Sequence, residues 1–223
     1  MSLPSDDQLE TVFGADGALS RAITGYRLRA QQVEMAQAIA QAMRDNSLLV
    51  AEAGTGTGKT YAYLVPALLS GGKVIISTGT KTLQDQLYNR DLPTVRDALQ
   101  VPVSTALLKG RANYVCHHHL EGALAEGRFA SREEVAQLHK IARFAKLSKS
   151  GDRAELADVP ENAAVWQSAT STRENCLGQD CKQYAECFVM AARREALSAD
   201  IVVVNHHLFF ADVALRDEGV SEL

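Results

Sequence analysis

No apolar run in this chain of 223 residues approaches the ~18–20 residues needed to cross a bilayer. The longest candidates, Tyr61–Leu69 and Ile201–Phe210, are far shorter or interrupted. The opening Met1-Ser-Leu-Pro-Ser-Asp-Asp has neither the basic start nor the apolar block of a signal peptide. Together these absences lead to the expectation of a cytoplasmic protein without a membrane partner. In a reducing compartment the 4 cysteines read as metal or redox ligands rather than as disulfides. Internal repeats and low-complexity tracts are also missing. So is any surplus of positive charge, since 23 Lys+Arg against 27 Asp+Glu leave a net charge of −4. That balance argues against wholesale coating by nucleic acid, but a protein holding it in a local groove need not be basic overall.

What is present is globular composition, 46% hydrophobic and 22% charged, with enough apolar material for a sizeable core. A short apolar run, Leu48-Leu49-Val50-Ala51, reads as a strand and leads into Ala53, Gly54, Thr55, Gly56, Thr57, Gly58, Lys59 and Thr60. A strand entering a glycine-rich loop that ends Gly-Lys-Thr is the P-loop arrangement. Its glycines let backbone N–H groups approach phosphate oxygens. Lys59 offers an ammonium to the outer phosphates, and the Thr60 hydroxyl is a candidate Mg²⁺ ligand. The following helix points its positive end at the same anion. ATP with Mg²⁺ is the implied ligand, and Ala53 stands where glycine is usual.

Around this loop the pattern alternates. A helical stripe covers Arg29–Arg44, a helix covers Lys59–Leu69, and Lys73–Thr78 reads as a strand. A helix over Lys81–Asn89, a second starting near Pro93 and a strand around Ser104–Leu108 follow. Such alternation predicts an α/β fold with a parallel sheet and helices on both faces. From Arg111 to about Ala192 no strand is expected, and helices are predicted over Tyr114–Ala125 and Arg132–Leu147. Strand character returns with Ala199–Val204, a buried type. The predicted organisation is a mobile lead-in over 1–25 and a first motor segment over 26–109. A helical insertion over 110–192 and a return to the motor over 193–223 complete it.

The cysteines bracket that insertion. Cys116 opens it, Cys176, Cys181 and Cys187 close it, and no pair has the C-x2-C spacing common in zinc knuckles. Four thiolates also hold iron–sulfur clusters, whose width suits gaps of four and five residues. A metal centre joining the two ends would stabilise a segment expected to have a poor core of its own. His117, His118 and His119 lie about 100° apart around a helix, so they cannot all serve one ion. They read as a partly exposed face, or as one satisfied core residue with two neighbours in solvent.

Several segments resemble superfamily 2 helicases of the XPD/DinG type, with the YoaA branch nearest. Arg29-x-x-Gln32-x-x-Met35 resembles the adenine-sensing Q motif, and Glu52–Thr60 resembles motif I. Thr78-Gly-Thr80-Lys81-Thr-Leu83-Gln-Asp-Gln86-Leu87 resembles motif Ia, which lies along the nucleic-acid backbone. Leu108-Lys109-Gly-Arg111-Ala-Asn-Tyr-Val-Cys116 resembles the segment delivering the first cluster cysteine, and Val202–Phe209 the strand after the insertion. The resemblance implies a RecA-like motor domain interrupted by a 4Fe-4S insertion, ATP hydrolysis, and 5′→3′ unwinding of single-stranded or forked DNA. A role in replication or repair, with a protein partner from those processes, is implied as well. It assigns Arg29 and Gln32 to the nucleotide, Cys116, Cys176, Cys181 and Cys187 to the cluster, and Thr80, Lys81, Gln86 and Arg111 to DNA. Lys109 and Arg173 are further candidate cations.

One family element is missing. Hydrolysis requires a buried strand ending in Asp-Glu to hold Mg²⁺ and polarise water. The last apolar strand ends instead at Asn205, and Asp212 and Asp217-Glu218 follow no further strand. The expectation is an amino-terminal portion of a helicase, an incomplete motor that binds nucleotide without turnover. An ATP-responsive DNA-binding adaptor and a redox protein with a regulatory P-loop are the competing readings.

Overall fold

A computed structural model describes residues 3–129 and 131–217. The chain forms two compact units, one from residues up to Leu107 together with those from Ser198 onward, the other from Leu108 to Leu197.

The first unit begins with α1 (Asp6–Phe13) and α2 (Ala18–Ala22). Ser5 caps α1 by accepting from Gln8 N–H at 3.2 Å, and Asp6 and Asp7 complement the positive end of the helix. Leu9, Phe13 and Leu19 are fully buried in the main apolar cluster. The expectation of a mobile lead-in over 1–25 is therefore corrected. Three large side chains, too few for a long periodic stripe, anchor two short helices. Next come α3 (Ala30–Arg44), α4 (Lys59–Leu69), β1 (Val74–Thr78), α5 (Lys81–Gln86), α6 (Leu92–Leu99) and β2 (Thr105–Leu107). The separate helices expected over Lys81–Asn89 and from Pro93 are continuous. A π turn over Leu87–Asp91 joins α5 to α6, with Leu92 N–H donating to Leu87 O. That wide turn loosens the helix where Pro93 would otherwise clash and leave a carbonyl unbonded.

The second unit contributes α7 (His117–Glu126), α8 (Arg132–Leu147), α9 (Trp166–Ala169) and α10 (Phe188–Ser198). β3 (Ile201–Asn205) and α11 (His206–Asp217) return to the first. The sheet is parallel, ordered β1-β3-β2. Its register runs from Val74↔Ile201 to Thr78↔Asn205 on one side and from Thr105↔Ile201 to Leu107↔Val203 on the other. Every β3 residue is buried, which explains its continuous apolar sequence. Ser104 and Asp200 clasp the start of the β2–β3 pair. Ser104 Oγ donates to Asp200 Oδ2 at 2.6 Å, and these hydrogen bonds hold the Asp200 carboxyl below its ordinary pKa.

Leu48–Ala51 is not a strand. Leu48 and Val50 are 90% and 89% exposed, and no ladder includes them among the described residues. Apolar composition supplies strand propensity, but a strand exists only where a neighbour takes up its backbone groups.

The second unit has a core of its own, contrary to expectation. Tyr114, Leu120, Leu138, Ile141, Trp166 and Phe188 are buried in one cluster. Trp166 reaches Pro160 O at 2.9 Å through its indole N–H. Its regular structure is helical apart from an antiparallel bridge between Tyr114 and Asp152. Beside that bridge, Lys109 Nζ lies 2.7 Å from Asp152 Oδ2, with side-chain exposures of 3% and 10%.

Phe13→Ala is expected to cost about 3–5 kcal/mol in denaturant unfolding, as for other buried phenylalanines. An unchanged unfolding midpoint would restore the mobile lead-in.

Candidate functional site

The glycine-rich loop is held from behind by buried polar contacts. Gly58, the N-cap of α4, has φ 84°, in the left-handed region. Its carbonyl accepts from Tyr61 N–H at 3.1 Å and Ala62 N–H at 3.2 Å, closing the first helical turn. Gln32, 3% exposed, donates from Nε2 to the same oxygen at 2.8 Å. A Cβ at position 58 would lie 2.0 Å from Gln32 Nε2, so glycine is required by both backbone conformation and space. Tyr26 Oη lies 3.3 Å from Gln32 Oε1 and donates to Phe13 O at 3.1 Å. Burial pushes the Tyr26 phenol above its ordinary pKa, so it remains a neutral donor.

Arg29 donates to Gly56 O, in a turn where Gly56 has φ 80°. The two Q-motif side chains are thus bonded to loop carbonyls. Thr57 Oγ1 donates to Gly54 O at 3.0 Å. Lys59 Nζ donates to the carbonyls of Ala53 and Gly54 at 2.5 and 2.8 Å, which keeps the ammonium at the loop. Thr60 shares a hydrogen bond with the Tyr63 phenol, whose pKa burial raises.

Motif Ia follows the carboxyl end of β1, the end of a parallel sheet at which ligands bind. Thr80 caps α5 by accepting from Leu83 N–H at 3.2 Å. Gln84, fully buried, donates to Val203 O at 3.1 Å and fixes α5 against the central strand. Thr80, Lys81 and Gln86 are exposed, and Gln86 also donates to Asp91 Oδ2 at 3.3 Å. At the same sheet end Ser77 Oγ lies 2.7 Å from His206 Nδ1.

In the second unit, Cys116, Cys176, Cys181 and Cys187 line one cavity of about 100 Å³. All are free and partly exposed. Cys116 is the N-cap of α7, and its N–H donates to Ala169 O at 2.7 Å. Burial pushes the Cys116 thiol up. Backbone N–H groups of His119 and His118 bond to it and pull it back, while Cys187 and Cys181 push it up again. Successive turns carry the other thiols. Tyr184 N–H donates to Cys181 O at 3.0 Å, and Cys187 N–H to Tyr184 O at 3.3 Å. Gln183 ties this stretch to α7 through Glu121, at 2.9 Å. Among the described residues no three His, Cys, Asp or Glu side chains converge closely enough to hold a single ion. The thiols surround a space rather than meet at a point.

Residues 32–119 match the DEAD/DEAH box helicase family. Over 218 residues the chain is 50% identical to the ATP-dependent DNA helicase YoaA of Haemophilus influenzae, covering 98% of this chain and 34% of that protein. It is 48% identical to the Escherichia coli YoaA, over 95% of this chain and 33% of the relative. Identity is 37% to the ATP-dependent helicase DinG of Mycobacterium tuberculosis, over 90% and 33%. Residues 32–119 thus carry a DEAD/DEAH box helicase domain match, within a chain that is similar along nearly all its length to these relatives. It spans about a third of the length of these curated relatives. The family match takes in Gln32, the glycine-rich loop, motif Ia and Cys116, but stops short of Cys176, Cys181 and Cys187.

The candidate DNA cations of the sequence divide. Arg111 is partly exposed and Arg173 exposed. Lys109 is buried against Asp152 and is withdrawn as a phosphate contact, because exposing it would strand a buried carboxylate. Asp212 is buried on α11, whereas the Asp217 side chain and Glu218 lie outside the described residues. One residue escaped notice in the sequence, since Tyr26 carries no motif signature. His119, read there only within its histidine triplet, borders the cysteine cavity.

The Gln32–Gly58 contact makes the two positions energetically dependent. Gly58→Ala should lower the thermal midpoint through a left-handed alanine, about 1–2 kcal/mol, plus the collision with Gln32. In a Gln32→Ala background the collision is gone, so the cost of Gly58→Ala should shrink by ~1 kcal/mol or more. Additive effects in this double-mutant cycle would contradict the contact.

Proposed function

We propose that this chain is the nucleotide-binding and cluster-binding portion of an ATP-dependent DNA helicase with 5′→3′ polarity. The observation that carries the reading is the gathering of all four cysteines around one cavity, in a unit inserted between β2 and β3 of a P-loop α/β unit. A bare nucleotidase has no use for such a cage, and an electron carrier has none for motif Ia. The likeness to proteins named as ATP-dependent DNA helicases supports the substrate class.

The residues present fit the implied groups. N–H groups of the loop and of the first turn of α4 supply donors for phosphate oxygens. Lys59 supplies charge, and the Thr60 hydroxyl a ligand for Mg²⁺, which neutralises phosphate charge when bound. Arg29 and Gln32, bonded to Gly56 and Gly58, couple the adenine-sensing motif to the loop's shape. Four free thiols around about 100 Å³ suit a 4Fe-4S cluster better than one zinc, whose sulfurs would each lie ~2.3 Å from the metal. Cys116 at the start of α7, with Cys176, Cys181 and Cys187, would hold such a cluster, which would tie the two ends of the inserted unit together. Thr80, Lys81, Gln86 and Arg111 form the DNA-facing set, which holds the backbone and carries little sequence information.

β1, β2 and β3 end at Thr78, Leu107 and Asn205, and none ends in an acidic pair. The 223 residues alone are therefore proposed to bind nucleotide without DNA-stimulated turnover. The adaptor reading differs in denying turnover to the full-length protein as well.

Lys59→Ala should weaken ATP binding by at least tenfold in calorimetry, the loss of a charge-assisted contact of roughly 1.5–3 kcal/mol. Equal affinity in wild type and variant would remove the nucleotide assignment. Protein purified without oxygen should contain iron and acid-labile sulfide in equal amounts, and Cys181→Ser should bleach it. Colourless protein with one stoichiometric zinc would replace the cluster by a structural zinc site.

A further inference from the structure

The three histidines of α7 have different surroundings. The His117 ring packs against Phe188 at 4.7 Å between centroids, and His118 is exposed. His119 borders the cysteine cavity, its Nε2 is sealed from solvent, and that atom has no hydrogen-bond partner among the described residues. The ring also borders an open cavity of about 400 Å³ with His118, Glu126 and Arg128. No described group there bonds Nε2 either. A buried imidazole nitrogen left unbonded is costly, and an unpartnered polar atom in a folded protein calls for a ligand or ion that completes it.

The candidate partner is close by. The backbone N–H of His119 bonds the Cys116 thiol, so the residue is already part of the sulfur environment of the first cysteine. An imidazole in the Nε2–H tautomer is a donor, and cysteine-ligated iron–sulfur groups present electron-rich sulfur acceptors. The geometry points to His119 as a positioning residue that donates from Nε2–H to a sulfur of the iron–sulfur group held by Cys116, Cys176, Cys181 and Cys187. The inference rests on the cluster reading. An N–H donor to sulfur stabilises the more negative, reduced form, so His119 tunes the reduction potential of the group. His117 stacks on Phe188, and His118, which also lines the cavity, is exposed, so neither presents the sealed, unpartnered nitrogen that His119 does.

The test uses full-length protein purified without oxygen, as wild type, His119→Phe and His119→Gln. Phenylalanine keeps ring bulk without a donor, and glutamine restores an N–H near the position of Nε2. Iron and acid-labile sulfide are measured first, then the midpoint potential by EPR-monitored redox titration. In His119→Phe the equilibrium constant for reduction should fall about tenfold, a shift of ~59 mV to lower potential for a one-electron couple. His119→Gln should recover most of that shift. An unshifted potential in a fully loaded His119→Phe protein overturns the role of His119 and leaves the cluster standing. A glutamine variant that behaves like phenylalanine, in potential or in cluster loss, overturns it too. Wild-type protein free of iron and sulfide overturns the cluster reading, and this inference with it.

Discussion

The architecture depends on β3 reaching the middle of the sheet. Ile201–Asn205 pairs with both other strands and is buried throughout, yet it follows the inserted unit in the chain. β1 and β2 bond to it and not to each other, so neither has a ladder until residues 201–205 arrive. Closing a gap such as Val74 to Ile201 costs chain entropy that rises only slowly with length. Most of that gap is taken up by a unit with its own buried Trp166, Ile141 and Leu138. An insertion with an independent core therefore interrupts the sheet at modest expense. The Ser104–Asp200 clasp then sets the register where β2 meets β3.

In the first unit, helix packing sets the shape of the glycine-rich loop. Phe13, Tyr26, Gln32 and Gly58 form a continuous series of polar contacts from the second helical turn of α1 to the cap of α4. Gln32 occupies the space that a side chain at position 58 would fill, and its amide bonds the carbonyl that closes the first turn of α4. The amino-terminal helices thus support the glycine-rich loop instead of merely preceding it. Gln84 does the equivalent for motif Ia, reaching Val203 O to set α5 on the central strand. In both cases a buried glutamine with a long, hydrogen-bonding side chain connects a helix to backbone that must be held in one place.

In the second unit, charge and sulfur are segregated. Lys109 and Asp152 neutralise one another in the interior, near the bridge that joins Tyr114 to Asp152. The pair leaves no uncompensated charge, and breaking it would be far more costly than forming it is favourable. Four thiols line a separate cavity, with Cys116 bonded by backbone N–H groups at the start of α7. Those N–H groups are the free donors of a helix amino terminus, suited to sulfur that carries negative charge.

Where a function needs particular residue types in a fixed order, it was legible in the sequence. The Gly-Lys-Thr loop, the α4 helix over Lys59–Leu69 and the buried strand ahead of Asn205 all follow from local pattern. The bracketing of the inserted unit by Cys116 and by Cys176, Cys181 and Cys187 was legible for the same reason, and the four line one cavity. Pairing and burial were not. Leu48–Ala51 has strand composition but no ladder neighbour among the described residues, and α1 and α2 are anchored by three apolar side chains whose partners lie far along the chain. Lys109 reads as a surface cation until Asp152 is found beside it. Which of His117, His118 and His119 turns inward is not written in the sequence, and only the structure shows the ring nitrogen of His119 to be sealed. Local sequence by itself determined which chemistry the chain is equipped for. Tertiary structure alone decided which groups remain available to perform it, because ladder pairing, buried ion pairing and desolvation are set by residues distant in sequence.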